Sequence, residues 1–328
     1  MMQNVTMKGL TDITGIRVGH ASDFEAITGC TVVLCERGAV AGVEVRGAAS
    51  GTRELDALSP FHIAERIQGV LISGGSAFGL EAASGVMRYL EERGAGFDVG
   101  PTRVPIVPAV VIYDLSIGDW RARPTAEMGY EAARRATRDK VAEGSVGAGT
   151  GATVGKLRYL AQAMKGGLGT ATIPLPGGVL VSALVVVNAF GDVIDPRTGK
   201  ILAGARRSRR SRAFLDTAAQ LLRGAKRTGF ASANTTVAVV ATNARLDRVQ
   251  ATLLARMAQV GLARVIRPVH TRFDGDTVFA LSLGRPPRRA DPTALGVAAG
   301  DAVAASVLRA IKTARSLGDV PSWRDFRA

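Results

Sequence analysis

Residues 234–244 read Asn-Thr-Thr-Val-Ala-Val-Val-Ala-Thr-Asn-Ala, and this stretch indicates the class of fold. Its centre is an unbroken apolar run rich in valine, which is typical of a strand that is covered on both faces. Similar runs recur along the chain and alternate with segments of helical periodicity. This alternation predicts an α/β protein with several strands in its sheets.

Apolar periodicity and turn residues mark the other elements outward from this stretch. Strands are predicted at residues 31–34, 40–44, 70–72, 106–115, 178–190, 236–242, 264–270 and 277–283. Helices are predicted at residues 77–93 with Ser76 as the cap, at 124–143, at 246–260 before Gly261, and from Pro292 to a stop at Gly318. Residues 191–233 are a long connection with a short apolar helix around 214–222, and long connections inside compact domains are often functional.

The composition excludes several classes of protein. With 47% hydrophobic residues the chain is too apolar for a disordered protein, and its two cysteines cannot form a disulfide scaffold. Cys30 and Cys35 lie in or beside a predicted strand without a second ligand pair, so we expect buried thiols and no zinc site. We also expect no membrane span and no secretory signal, and therefore a cytoplasmic location.

The net charge of +14 raises the question of an acidic partner. Proteins that bind nucleic acid usually combine a basic stripe with aromatic side chains on which bases stack. The densest basic cluster, between Arg206 and Arg212, has no Trp or Tyr beside it. We therefore expect no nucleic-acid partner, and a role in holding an acidic partner is the alternative.

Two glycine-rich loops match catalytic motifs only in part. Residues 73–79 suggest the G-x-S-x-G elbow of serine hydrolases, but Phe78 stands where the second glycine is required. Residues 147–156 suggest a phosphate-binding loop, but they lack one glycine and the final hydroxyl residue of that motif, so we do not expect nucleotide binding. Lys156 ends the second loop and is either a surface lysine or a cation that orients a nucleophile or holds an anion.

The Asn234–Thr235 pair stands at the mouth of a predicted strand, directly after the long connection. Thr235 and the Thr236 that follows it are explained by β propensity alone, or by a self-cleaving nucleophile at Thr235. In the second case the Thr235 hydroxyl attacks the carbonyl of Asn234, the acyl group moves from nitrogen to oxygen, and water releases a chain that starts at Thr235. The freed α-amine, with an unperturbed pKa of about 8, then acts as general base for its own hydroxyl.

Polar residues at two other strand ends fit the same chemistry. Asp274 and Asp276 lack the rest of a calcium-binding loop, and as an alternative they orient an amine and tune its protonation. Asn188 ends a valine-rich strand, where its amide could donate to an oxyanion. His20 and His270 invite a Ser-His-Asp interpretation, but a nucleophile that carries its own amine needs no histidine, and we assign neither a role.

Taken together, these segments resemble one family, the L-aminopeptidase/D-esterase (DmpA-like) peptidases, whose relatives include the β-peptidyl aminopeptidases and the nylon-oligomer endohydrolase. The resemblance extends over nearly the whole chain, through residues 11–13, 15–20, 28–31, 45–47, 73–79, 111–114, 147–156, 188, 234–244 and 274–277. It implies a four-layer αββα sandwich of N-terminal-nucleophile type, formed by residues 1–328 as a single hydrolase domain. It also implies self-cleavage into residues 1–234 and 235–328, with no metal or organic cofactor.

The resemblance also implies roles for individual residues. Thr235 matches the nucleophile, and Asn188 matches the amide on the oxyanion side. Asp274 and Asp276 match the acidic pair behind the nucleophile. The remaining matches are Lys156 and Tyr113, which correspond to polar residues lining the site of the nylon-oligomer hydrolase.

The expected function is hydrolysis of amide bonds in small peptides or peptide-like substrates through an acyl-enzyme on Thr235. The aminopeptidase branch typically cuts itself at Gly-Ser and has Ser where Asp274 stands, whereas Asn-Thr and Asp-Gly-Asp are similar to the nylon-oligomer branch. Linear ω-amino-acid oligomers, or D-amino acid amides and esters, are therefore alternative substrates. A non-enzymatic module that binds an acidic partner is the third hypothesis, and a homo-oligomer of αβ units is expected by analogy with the family.

Overall fold

The computed structural model describes residues 7–226, 234–284 and 288–326. The longer strands, named in one numbering with the short ones, are β1 (Arg17–Asp23), β2 (Thr28–Val45), β4 (Ile67–Ser73), β10 (Gly167–Leu175), β11 (Val179–Asn188), β14 (Thr235–Thr242) and β16 (Thr277–Ser282). The short strands are β3 (Thr52–Arg53), β5 (Phe97–Asp98), β6 (Arg103–Val104), β7 (Ala109–Val111), β8 (Thr153–Val154), β9 (Met164–Lys165), β12 (Asp192–Ile194), β13 (Ile201–Ala203) and β15 (Ile266–Arg267). The α-helices are α1 (Ala82–Glu91), α2 (Ala126–Arg134), α3 (Thr217–Leu222), α4 (Arg248–Val265) and α5 (Pro292–Thr313).

β2 is a single strand of 18 residues that joins two sheets. It includes both of the strands that were predicted separately at 31–34 and 40–44. Its first half pairs with β1 and β4, and its second half pairs with β16. The register shifts between Leu34 and Ala39, and Gly38 at this point has a φ of +80°, a conformation that favours glycine. One sheet therefore runs β1-β2-β4-β7-β3, and the other runs β10-β11-β14-β16-β2.

The two sheets face each other and are covered by helices on their outer sides. Side chains from both sheets, such as Val33 and Ile72 from one and Val239 and Phe279 from the other, form the core between them. α4 and α5 pack on the outside of the β10-β11-β14-β16 sheet, and α1 and α2 pack on the outside of the other. The α/β class and the four-layer αββα sandwich are confirmed.

β14 shows why its sequence is apolar without alternation. All eight of its residues are buried. Val237 and Val239 point into the core between the sheets, whereas Ala238 and Val240 belong to the core under α4 and α5. Since full burial of one valine side chain contributes about 1.5–3 kcal/mol, both faces of this strand hold the layers together.

α5 is long and apolar enough to cross a membrane by length and composition alone, and 67% of its most apolar window is buried inside the protein. It packs on β10, β11 and α4. As predicted, the helix starts at Pro292, and the Asp291 side chain caps it by accepting a hydrogen bond from Ala294 N. In this structure α5 is a largely buried helix in one of the two helical layers.

Cys30 and Cys35 are buried and form no disulfide, as expected from the sequence. Burial raises the pKa of each thiol to about 12. The thiolate form is therefore scarce at neutral pH, and neither residue is placed for nucleophilic chemistry.

Several predicted boundaries are wrong, and tertiary contacts explain two of them. The helix predicted at 77–93 is divided into a 3₁₀ turn, Ser76–Glu81, and α1. Ser76 does not cap it: its φ is +54°, Gly75 occupies the cap position, and no side-chain cap bond forms. Gly261 does not stop α4, which continues to Val265. A Cβ at residue 261 would lie 2.3 Å from Gly300 O of α5, so the glycine is present because the two helices touch there. The strand predicted at 264–270 consequently shrinks to β15.

The other differences concern lengths. α2 ends at Arg134 because Thr137 leaves the helix to pair with Val18 of β1. The strand predicted at 106–115 is reduced to β7, and α5 ends at Thr313 rather than at Gly318. The connection at 191–233 contains β12, β13 and α3, and its last part, residues 227–233, lies outside the described residues.

Candidate active site

Three strand ends place the predicted site residues beside one another. Asn188 ends β11, and in the antiparallel register it stands directly opposite Thr235, the first residue of β14. β16 runs parallel to β14, so the segment with Asp274 and Asp276 that precedes it arrives at the same edge of the sheet. An isolated parallel bridge joins Asn234 to Asp274 at this edge.

The Thr235 hydroxyl lies against the carbonyl that precedes it. Its Oγ1 is 2.6 Å from Asn234 O, and the residue is buried. Gly275 N donates a second hydrogen bond to the same Asn234 O, at 2.7 Å. The peptide between Asn234 and Thr235 is therefore held with a hydroxyl and a backbone N–H on its carbonyl oxygen.

Asp276 accepts a hydrogen bond from the backbone of β14 beside Thr235, and Asp274 accepts one from the backbone just beyond the end of β11. Asp276 Oδ1 accepts from Thr236 N at 2.7 Å. Asp274 Oδ1 accepts from Phe190 N at 3.0 Å, and its other oxygen accepts from the N–H and hydroxyl of Thr271. Burial, with added repulsion from the Asp276 carboxylate, raises the pKa of Asp274 to about 6. The Asp-Gly-Asp turn thus fixes the ends of both β11 and β14.

Asn188 and Lys156 form a buried polar pair on the other side of Thr235. Lys156 Nζ donates to Asn188 Oδ1 at 2.6 Å and to Asn188 O at 3.2 Å. Thr153 N also donates to Asn188 Oδ1, at 3.0 Å. The amide nitrogen of Asn188 donates to the backbone carbonyl of Tyr113 at 3.1 Å. Because an amide NH₂ has two hydrogens, the second N–H of Asn188 has no acceptor among the described residues.

A small cavity opens beside this pair. It is lined by Tyr113, Asp114, Ser116, Ile117, Thr153, Lys156 and Leu160. Tyr113 therefore contributes to the site in two ways, with its carbonyl on Asn188 and with its place in the cavity wall. All six residues singled out from the sequence are joined by direct contacts or by one intervening residue.

The structure adds a residue that the sequence analysis set aside. His270 Nδ1 lies 2.9 Å from Asp276 Oδ2, so this histidine contacts the acidic pair. His20, by contrast, lies on β1 with its Nδ1 3.0 Å from Thr31 Oγ1, and burial lowers its pKa to about 4. Its position in the sequence, four residues before Asp274, was the one sign that His270 could contact the acidic pair.

Two further buried titratable residues, Lys165 and Asp114, lie near enough to influence each other's charge. Lys165 Nζ donates to Thr150 O at 2.6 Å, and Asp114 accepts from Thr28 Oγ1 and from Gly75 N, each at 2.7 Å. Burial lowers the pKa of Lys165 to about 7, with the Asp114 charge acting in the opposite direction, and burial raises the pKa of Asp114. Neither residue was singled out as a site candidate from the sequence.

The arrangement at the strand ends can support acyl transfer. It brings together a threonine hydroxyl, an amide donor, a buried ammonium group and two carboxylates at one edge of the sheet. Among the residues that the structure describes, no three His, Cys, Asp or Glu side chains are grouped as metal ligands would be.

Comparisons with known proteins agree with this chemistry. The sequence profile of peptidase family S58 matches residues 8–321. The chain is 42% identical to an uncharacterized aminopeptidase of Mycobacterium bovis, with 98% of each chain covered. It is 31% identical to a 6-aminohexanoate-oligomer endohydrolase of Kocuria sp., with 92% of this chain and 85% of that protein covered.

Two solved structures share the fold. The L-aminopeptidase D-Ala-esterase/amidase of Ochrobactrum anthropi, described as a new variant of the Ntn hydrolase fold, superposes with a TM-score of 0.72 at 20% identity, covering 98% of this chain and 91% of that one. A Burkholderia sp. β-aminopeptidase superposes with a TM-score of 0.67 at 24% identity, covering 96% of this chain and 89% of that one.

Proposed function

The chain belongs to peptidase family S58 and is a hydrolase of amide bonds, and from this premise we propose that Thr235 is an N-terminal nucleophile uncovered by self-cleavage after Asn234. The substrates are small peptides or peptide-like amides. The observation that carries the proposal is the position of Thr235 Oγ1, 2.6 Å from the carbonyl oxygen of Asn234.

Self-cleavage proceeds by an N-to-O acyl shift. Thr235 Oγ1 attacks the carbonyl carbon of Asn234, the C–N bond breaks, and the hydroxyl proton ends on the departing nitrogen. Gly275 N–H, 2.7 Å from the carbonyl oxygen, stabilises the negative charge that develops there. Water then hydrolyses the ester, which leaves a carboxylate on Asn234 and a free amine and hydroxyl on Thr235.

The same hydroxyl then acts on the substrate. The α-amine of Thr235 takes the hydroxyl proton as Oγ1 attacks the amide carbonyl, and the leaving amine departs with a proton. The open N–H of Asn188, held in place by Lys156 and by the carbonyl of Tyr113, donates to the oxyanion. Asp274 and Asp276 fix the backbone beside the amine, and water releases the acyl group from Thr235.

Linear ω-amino-acid oligomers are the second candidate substrates, with D-amino acid amides and esters as further candidates. The Asp-Gly-Asp sequence and the 31% identity to a 6-aminohexanoate-oligomer endohydrolase favour the oligomers. A panel of amino-acid p-nitroanilides, D-amino acid amides and esters, and 6-aminohexanoate oligomers separates the candidates by kcat/KM.

Intact mass and a denaturing gel test the proposal. The wild type should separate into residues 1–234 and 235–328, whereas Thr235→Ala should stay a single inactive chain of 34.1 kDa. Thr236→Ala is the matched control, because this neighbour is also a buried threonine and its Oγ1 has no hydrogen-bond partner among the described residues. It should cleave and hydrolyse like the wild type. Cleavage in Thr235→Ala, or full activity in an uncut wild-type chain, would contradict the proposal.

A further inference from the structure

His270 makes two hydrogen bonds to a single carboxylate oxygen. Its backbone N lies 3.1 Å and its ring Nδ1 lies 2.9 Å from Asp276 Oδ2. The Asp276 side chain is 1% exposed and the His270 side chain is 18% exposed, so this contact is largely shielded from water. A hydrogen bond between such groups is stronger and more directional than one on the surface.

Asp276 carries the contact on to the nucleophile. While Oδ2 is held by His270, Oδ1 accepts from Thr236 N at 2.7 Å. Thr236 N belongs to the peptide that directly follows Thr235. A continuous chain of hydrogen bonds therefore runs from the imidazole through the carboxylate to the backbone of the nucleophile.

The backbone conformation of His270 shows that this placement has a cost. Its φ is +55°, in the left-handed region that costs a non-glycine residue about 1–2 kcal/mol. This conformation accompanies the contact of both the backbone N–H and the ring with Asp276. Strain of this kind persists where surrounding contacts hold the residue in place.

The other ring nitrogen identifies the tautomer. His270 Nε2 is buried and has no hydrogen-bond partner among the residues that the structure describes. A proton on Nε2 would have no acceptor among these residues, which is unfavourable for a buried donor. Since Nδ1 faces a carboxylate, the neutral ring carries its proton on Nδ1 and donates it to Asp276.

We propose that His270 is a positioning residue for the Thr235 nucleophile, which it holds through Asp276. The inference rests on the proposed function, because it takes Thr235 as the group that attacks. Among the described residues, His270 is hydrogen-bonded to Asp276 and not to Thr235. By fixing the rotation of the Asp276 carboxylate, it fixes the Thr236 amide and with it the direction in which Thr235 presents its hydroxyl and amine.

Two substitutions at this position separate positioning from mere space filling. His270→Ala removes the ring donor and leaves only the backbone N–H on Asp276. His270→Asn keeps a side-chain N–H close to the position of Nδ1, and asparagine tolerates the left-handed backbone. Both are measured for the rate of self-cleavage of the full chain and for kcat and KM on an amino-acid p-nitroanilide.

His270→Ala should slow self-cleavage and lower kcat by about 10- to 100-fold, with KM within about twofold, because the nucleophile is misplaced while the substrate still binds. His270→Asn should return both rates to within about threefold of the wild type. The matched control is His20→Ala, since the ring of His20 pairs with Thr31 on β2 and not with the strand of the nucleophile. It should keep wild-type rates.

Each outcome decides the inference. Wild-type rates in His270→Ala, or a folded His270→Asn that is as slow as His270→Ala, would overturn it. If His270→Ala does not fold, His270→Asn and ¹⁵N spectra of the wild type decide, and with three histidines in the chain the signals are readily assigned. A proton on Nε2 instead of Nδ1 would also refute the inference. An active Thr235→Ala would overturn the proposed function instead, whatever the His270 variants show.

Discussion

Two buried lysines, Lys156 and Lys165, lie close together in the sequence and in different surroundings. Lys156 is 3% exposed, donates to the side chain of Asn188 and lines the small cavity with Tyr113. Lys165 is 0% exposed, donates to the backbone carbonyl of Thr150 and lies near Asp114. The two residues share chemistry and burial, and they differ in what their ammonium groups face.

Burial alone therefore does not distinguish the two lysines. Lys165 is fully buried and donates to Thr150 O, while Asp114 is held by Gly75 N. Lys156 lines the small cavity and donates to Asn188, which stands opposite Thr235 at the start of β14. We therefore expect Lys165 to contribute to stability and Lys156 to activity, and four predictions test this division.

The largest effect is expected on stability. Lys165→Met leaves the buried carbonyl of Thr150 without its donor and removes the lysine charge that acts on the buried Asp114, which should lower the free energy of unfolding by about 3 kcal/mol. Urea denaturation of the uncut Thr235→Ala background measures this as a single transition. The double variant Lys165→Met/Asp114→Asn should recover part of the loss, and if Lys165→Met is as stable as its parent, the structural role of Lys165 is refuted.

The next effect is expected on catalysis. Lys156→Met leaves Asn188 without its ammonium partner, so kcat/KM should fall by about 10²- to 10³-fold, as for loss of a group that supports an oxyanion donor. The melting temperature should change much less than in Lys165→Met. Steady-state kinetics on the best substrate of the panel, together with thermal unfolding, measures both quantities. If Lys156→Met keeps wild-type activity, the expected role of Lys156 in catalysis is wrong.

A smaller effect is expected in the pH dependence of stability. The pKa of Lys165 is about 7 in the folded protein and 10.5 in its unperturbed form, so between these values the unfolded chain binds more protons. The contribution of Lys165 to stability should therefore rise with pH from 7, by at most about 1.4 kcal/mol per pH unit. Denaturation between pH 7 and 9 should show this rise in the parent, and it should be absent from Lys165→Met. Parallel curves for the two proteins would contradict the assignment.

The smallest effect is expected at Tyr113, which lies between the two regions. Its neighbour Asp114 belongs to the Lys165 side, while its own carbonyl accepts from Asn188. Since that contact uses the backbone, Tyr113→Phe should change kcat/KM by less than about tenfold, far less than loss of an oxyanion donor. A loss as large as that of Lys156→Met would show that the phenol oxygen takes part in the reaction.

Local sequence was sufficient where burial on both faces or a strand end carried the signal. The valine-rich runs of β11 and β14 predicted strands inside a layered α/β protein, because only such strands are apolar without alternation. The polar residues at their ends, Asn188 and Thr235, stood out for the same reason. Boundaries set by distant contacts were missed, such as the continuation of α4 through Gly261, where α5 approaches closely.

The sequence by itself determined that the fold is α/β, that the valine-rich runs of β11 and β14 are strands, and which polar residues end those runs, whereas it did not predict β1 or β10. Only the tertiary structure decided which of these residues meet. The order of the strands places β16 beside β14, and the turn before β16 brings His270 onto Asp276 and Gly275 onto the carbonyl of Asn234. The physical reason is that apolar patterning is a local property of the chain, whereas a hydrogen bond between strand ends depends on register and on the packing of elements far apart in sequence.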